Sequence, residues 1–379
     1  VTALLKPTGS PAERFTSRNP EDFPEPRGRE EDWRFTPVRD VRDFFTPFED
    51  VSHFERDSYA PAPATIELVD RADPAVGRVL QPADRASALA FANARRALVV
   101  RIPADTRLDE PVRVTLRGTG ARAYGHLVVE AAAYSVATVV VQYTGSGRSS
   151  GNVEVVTGDG AQLTVVHVEN GNADFVHLQS YAVSVGRDAT VKHVVVNLGG
   201  SLARVAPTVV FAGPGGHAEL LGVSFAGDGQ HFESRLFVDH NQPNCTSRVL
   251  YKNALLGDSA RTVWIGDVRI RPSAVGTDTY EMNRNLLLSD GARADSVPNL
   301  EIETGNIAGA GHASATGRFD DLQLFYLQSR GIPEEEARRL VVRGFFADVV
   351  QRIGVTDLEQ QTMTAIEARL GFTPDLESD

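Results

Sequence analysis

Cysteine is almost missing from this chain: Cys245 is the single one in 379 residues. One thiol excludes an intramolecular disulfide framework and suits a reducing compartment, so a cytoplasmic location is expected. It equally excludes a metal–sulfur centre held only by cysteines of one chain, which wants about four thiolates. Long apolar runs are missing too, and none approaches the roughly 20 residues that span a bilayer. The opening VTALLKPTGSPAERF lacks a basic flank and a long apolar core, so no secretory leader is expected. Positive charge is in deficit. A formal net charge of −12 argues against nonspecific nucleic-acid binding and against anionic membranes. A nucleotide-binding loop is absent as well. Gly158-Asp159-Gly160 and Gly213-Pro214-Gly215-Gly216 lack a following Lys-Ser or Lys-Thr, open no helix and read as turns. Neither an HExxH zinc helix nor a GxSxG elbow occurs.

What is present is a globular chain: 42% hydrophobic and 23% charged residues describe a soluble, folded protein. Its length suits about two or three domains. Residues 1–96 read as a mixed segment. Asn19–Arg29 should be extended, and Trp33 should pack this arm onto the body. Asp84–Arg96 reads as a helix, rich in Ala and Leu with Asp84 at the cap. From Leu98, short β-branched runs such as LVVRI, ATVVVQY, LTVVHV and VKHVVVN follow one another, divided by Gly and Asp turns. Small residues follow Gly-containing turns at Gly158–Ala161, Gly186–Ala189, Gly216–Ala218, Gly257–Ala260 and Gly291–Ala292, mostly at intervals of roughly 30 residues. One interval is longer, which puts an insertion at His231–Ser247. Coils that bury a core only by stacking on their neighbours fit this texture. Irregular turns and the lack of a blade signature disfavour a propeller, and a β-sandwich is the other architecture allowed.

The stretch Ala274–Pro333 joins two textures. Asn285–Ser289 and Asn299–Glu303 read as short strands on either side of the turn Asp290-Gly291. After Gly317 three helices are expected. They are Asp321–Arg330; Pro333–Ile353, with Glu334–Glu336 facing the positive N-terminal dipole; and Leu358–Leu370, capped by Asp357. Between the textures sits His312, in a run of Gly, Ala, Ser and Thr that lets another group approach closely.

The strings NRNLLLSDGARADSVPNLEIETGNI and GHASATGRFDDLQLFYLQSRGIP resemble the SufB/SufD family of iron–sulfur cluster assembly scaffolds. The likeness runs from about Ala97 to Gly371, and Trp33, Arg34 and Thr36 add a short N-terminal match. The resemblance implies a mainly β fold. Its right-handed parallel β-helix core covers 97–317, between the mixed segment 1–96 and a C-terminal α-helical domain over 318–379. It implies a SufD-like subunit of the SUF system that pairs with a SufB-like paralogue, binds a SufC-like ABC ATPase through its C-terminal helices and is not itself an enzyme. The single cysteine favours SufD over SufB, as does Ala310, which stands where some SufD relatives carry a cysteine two residues before the histidine. By the same motif, His312 matches a SufD histidine that contributes to nascent cluster assembly at the shared interface. Imidazole nitrogen can bind iron. The cluster would be transient and shared, with none held stably by the isolated chain, and a homodimer of that chain is left open.

The helix after Pro333 shows two apolar sides, one with Ala337, Leu340, Val341 and Gly344, the other with Val342, Phe346, Val350 and Ile353. A surface helix needs only one to join its domain. The first and third helices, with the end of the β-helix, can cover both sides; the resemblance, in which the C-terminal helices dock the ATPase, favours leaving the side of Val342, Phe346 and Val350 to that partner. A rival from another class rests on His231, Glu233 and His240 in HFESRLFVDH. There His231 and Glu233 share a strand face and could hold the metal of a β-rich metalloenzyme, although His240 falls on the opposite face of an unbroken strand. A binding solenoid with no metal is a third reading. Cys245 has no base near it in sequence and reads as a structural thiol.

Overall fold

The computed structural model describes residues 13–49, 54–319 and 321–371. An extended arm leads through α1 (Val38–Val41) to β1 (Glu55–Tyr59), β2 (Thr65–Asp70), α2 (Arg85–Asn93) and β3 (Arg96–Ile102). Asp84 caps α2 by accepting from the Ser87 N–H. This helix is shorter than expected, because Arg96 already begins a strand. Two long strands follow, β4 (Val112–Ala131) and β5 (Val136–Thr157). Shorter strands come next: β6 (Gln162–Glu169), β7 (Val176–Val185), β8 (Thr190–Asn197), β9 (Leu202–Phe211) and β10 (His217–Ala226). The last six are β11 (His231–His240), β12 (Thr246–Leu255), β13 (Arg261–Ile270), β14 (Asp278–Leu287), β15 (Arg293–Ile302) and β16 (Gly309–Arg318).

Beyond β5 each strand pairs in parallel with the next but one. One run is β5-β7-β9-β11-β13-β15 and the other β5-β6-β8-β10-β12-β14-β16, with β5 feeding both. This is the parallel β-helix expected, and the sandwich is excluded because its sheets are antiparallel. Inward side chains of both runs meet in one core: Val191, Leu220 and Val249 from one, Val183, Val209 and Val238 from the other. Successive coils are offset by 27 residues at Asn197 and Ser224 and by 32 at Asn253 and Asn285. His231–Ser247 is therefore no insertion. It is a regular strand, β11, and the turn into β12.

One corner of the coil turns through a left-handed residue each time. Asp188 (φ 52°), Gly215 (φ 74°), Asn244 (φ 56°) and Gly276 (φ 77°) stack there. A Cβ on Gly215 would overlap the Asp188 carboxylate, and one on Gly276 would overlap the Asn244 amide. Glycine alternates with Asp or Asn because the neighbouring side chain occupies the space above it.

The outer faces are covered by the two ends of the chain. Trp33, Phe44 and Phe45 of the arm and Leu89 of α2 pack on Tyr124, Val176, Leu178 and Leu202. Trp33 meets Phe45 edge to face at 4.8 Å, as an anchoring residue should. The other outer face is covered by α4 (Glu334–Val350) and α5 (Thr356–Arg369), which follow α3 (Asp321–Ser329). Pro333 stands just before α4 rather than inside it, and Val355 precedes α5, so Asp357 lies in the first turn instead of at the cap.

The packing of α4 corrects one expectation. Val342 and Phe346 are fully buried and Val350 nearly so, in a cluster with Val194, Leu221 and Val223 of the coil. The Phe346 side is thus this chain's own core. The outer wall of the β-helix supplies the apolar surface that covers it.

Candidate functional site

The coil ends at β15 and β16, each paired on one side only among the described residues. Such edges carry backbone N–H and C=O groups ready to pair with another chain. His312 lies within β16, not between the coil and the helices, and is exposed. GAGHASATGR has little intrinsic strand preference. It is extended because β14 templates it in parallel, residue for residue, from Asp278 opposite Gly309 to Leu287 opposite Arg318.

Register places the neighbours of His312. Val249, Glu281 and His312 stand opposite one another on β12, β14 and β16. Paired residues of a parallel sheet point to the same face, so all three share the interior row. Ala310, two positions earlier, faces the same way and packs against the core. Beside this row a polar network closes the coil. Ser296 donates to Asn283 at 2.6 Å, Asn253 donates to Asn285 at 2.8 Å, and Asn285 donates to Thr316 at 3.0 Å.

Glu281 is 1% exposed, and neither carboxyl oxygen has a hydrogen-bond partner among the described residues. Burial, with a smaller contribution from Asp267, pushes its pKa up to about 8. Its carboxyl lies over Gly266, where a Cβ would come within 2.9 Å of Oε1. Imidazole and carboxylate on neighbouring strands in register are a donor set that suits ferrous iron, which accepts both nitrogen and oxygen ligands. Sequence reading passed over Glu281 because polar residues alternating along a strand normally face water. The signal available was its place one coil before His312.

The other candidates lie elsewhere. His231 Nε2 is 3.3 Å from Glu233 Oε2. Glu233 also accepts from Thr36 at 2.7 Å and pairs with Arg204 at 3.5 Å and Arg235 at 3.8 Å. Burial raises the Glu233 pKa, but the His231 hydrogen bond and the two guanidinium charges outweigh it and hold the carboxyl at about 2. This cluster clasps the arm to the coil. His240 is buried on the interior side, bonded to Ser247 at 2.9 Å, with its pKa lowered to about 4 by burial. The three therefore do not converge, and no group of three His, Cys, Asp or Glu among the described residues could hold a metal ion. The metalloenzyme reading is set aside on that geometry. Cys245 is buried, with Sγ directed at the Gly213 and Pro243 carbonyls, and burial raises its pKa.

Comparison with known proteins places the chain in a family. The family model described as SUF system FeS cluster assembly, SufBD core domain, matches residues 114–345. An iron–sulfur cluster assembly SufBD family protein of Mycobacterium bovis is 50% identical over 374 residues, covering 96% of this chain and 94% of its own. One of Mycobacterium leprae is 48% identical over 370 residues, covering 95% and 94%. The iron–sulfur cluster assembly protein SufD of Bacillus subtilis is 27% identical over 279 residues, covering 71% and 63%. The chain belongs to the SufB/SufD family of SUF-system iron–sulfur cluster assembly proteins. No helix among the described residues is long and apolar enough to cross a membrane.

Proposed function

We propose that this chain is a SufD-like scaffold subunit, without catalytic chemistry of its own, that builds nascent iron–sulfur clusters with a SufB-like paralogue and a SufC-like ATPase. The observation that carries the reading is the coil end, where an exposed histidine stands on a strand edge that is unpaired among the described residues. The iron and sulfide are cargo. His312 would supply one iron ligand, and the paralogue, docked on β15 and β16, would supply the thiolates that this chain lacks. A SufD-like assignment rather than a SufB-like one rests on the single, buried Cys245.

The ATPase is assigned to the outward side of the helical segment. Leu322, Phe325 and Tyr326 of α3 are 78%, 68% and 57% exposed, and Leu340 of α4 is 39% exposed. These apolar side chains suit a partner surface. ATP-driven movement of the helices would then reshape the coil end beside them.

The test is co-expression of the three proteins, anaerobic isolation, and iron and sulfide analysis. His312→Ala should leave the fold and subunit pairing intact and lower cluster yield. A complex that assembles clusters at the wild-type rate would remove the ligand role.

A further inference from the structure

The other buried carboxylates among the described residues have at least one oxygen matched with a donor, as Glu169 has with His177. Glu154 accepts from the backbone N–H groups of Gly77, Val79 and Leu80 and pairs with His126 at 2.8 Å. Glu233 has a hydroxyl, an imidazole and two guanidinium groups around it. Glu281 has none of these. A buried acid with both oxygens unmatched costs free energy, and such a group in an otherwise well-packed interior marks a missing ion or a functional role.

Its position says which ion. Glu281 lies one coil below His312, in the same interior row, with strands about 4.8 Å apart. Only that last coil separates it from the open end. Gly266 opposite it leaves room for the carboxyl, and no hydrogen bond holds either oxygen in place. A swing of the side chain toward β16 brings an oxygen donor beside the imidazole. We propose that Glu281 is a second ligand at this end of the coil, forming with His312 a two-residue ferrous site that a partner chain completes. No third His, Cys, Asp or Glu among the described residues joins them, so the site is unfinished without the second subunit. The inference rests on the His312 assignment above and extends it inward by one coil.

The test titrates the full chain anaerobically with ferrous ion alone. Affinity is read by competition with a fluorescent chelator, and coordination by X-ray absorption. The wild type should bind one ion through nitrogen and oxygen donors. Glu281→Gln and His312→Ala should each weaken binding at least about tenfold, with Glu281→Gln melting no lower than the wild type. Should Glu281→Gln bind as tightly as the wild type while His312→Ala does not, the Glu281 role is overturned and the His312 reading stands. Wild-type affinity in His312→Ala overturns both. Absence of binding to the wild type at about 1 mM ferrous ion, weaker than millimolar affinity, overturns the two-residue site.

Discussion

Strands β11 and β16 have the same length and the same parallel pairing, yet all ten residues of β11 are buried while most of β16 is exposed. The difference lies in what covers them. β11 has strands on both sides, the core within and the arm outside. β16 has a strand on one side only, with none beyond it among the described residues. The carboxylates of the two regions differ in the same way. Glu233 on β11 is fully buried and surrounded by cations, and Glu281, near the open end, is buried and unmatched. The carboxylate in the middle of the coil is matched by opposite charge, whereas the one near its end has no counter-charge among the described residues and lies one coil from the edge that a second chain can meet.

The largest effect should come from removing the cover of the other face. Phe346→Ser takes a fully buried aromatic ring from the interface between α4 and the coil. It should destabilise the chain by roughly 3 kcal/mol or more, read as a lowered melting temperature. An unchanged melting curve would show that α4 does not pack as described.

Glu233→Gln and Glu281→Gln should act in opposite directions. The first removes the carboxylate that Arg204 and Arg235 share, leaving them Asp84 and Asp32 respectively, and should cost about 1–3 kcal/mol. Because the folded pKa of Glu233 is depressed, its stabilisation is present above the ordinary carboxylate pKa of 4.5 and is lost as pH falls toward about 2. Acid unfolding of the wild type should therefore be steeper over that window than that of Glu233→Gln.

For Glu281 the sign reverses. Its folded pKa is raised to about 8 from 4.5. The advantage of holding its proton is complete below pH 4.5 and lost as pH rises toward 8. Without metal, Glu281→Gln should stabilise the chain near pH 7, by about 1–3 kcal/mol, and flatten the decline on that alkaline side. A destabilised Glu281→Gln, measured by denaturant melts at pH 5 and pH 8, would show that the carboxyl is satisfied after all.

The smallest effect on stability, and a large one on association, is expected from Phe325→Ser. That ring is 68% exposed, so its loss should change stability by no more than about 0.5 kcal/mol. Capture of the SufC-like ATPase should fall, because a large aromatic side chain is a common interface anchor. Retained capture with unchanged melting would move the ATPase surface elsewhere.

The coiled core was legible in the sequence because its rule is local and repeated. β-Branched runs, Gly and Asp turns and a period near the coil length need no knowledge of distant residues. The motif around His312 carried the family, and the odd spacing of His231 and His240 put them on opposite faces without any coordinates. Other features were decided only when the coils stacked. GAGHASATGR became a strand because β14 lay ready to pair with it, against its own weak preference. Phe346 became core because its helix lies across the outer wall of the coil, a surface assembled from strands far away in sequence. Glu281 acquired its place beneath His312 from register alone. Periodicity along the chain determines which residues can face inward; what each one meets there is decided by the neighbouring coil, some 30 residues away.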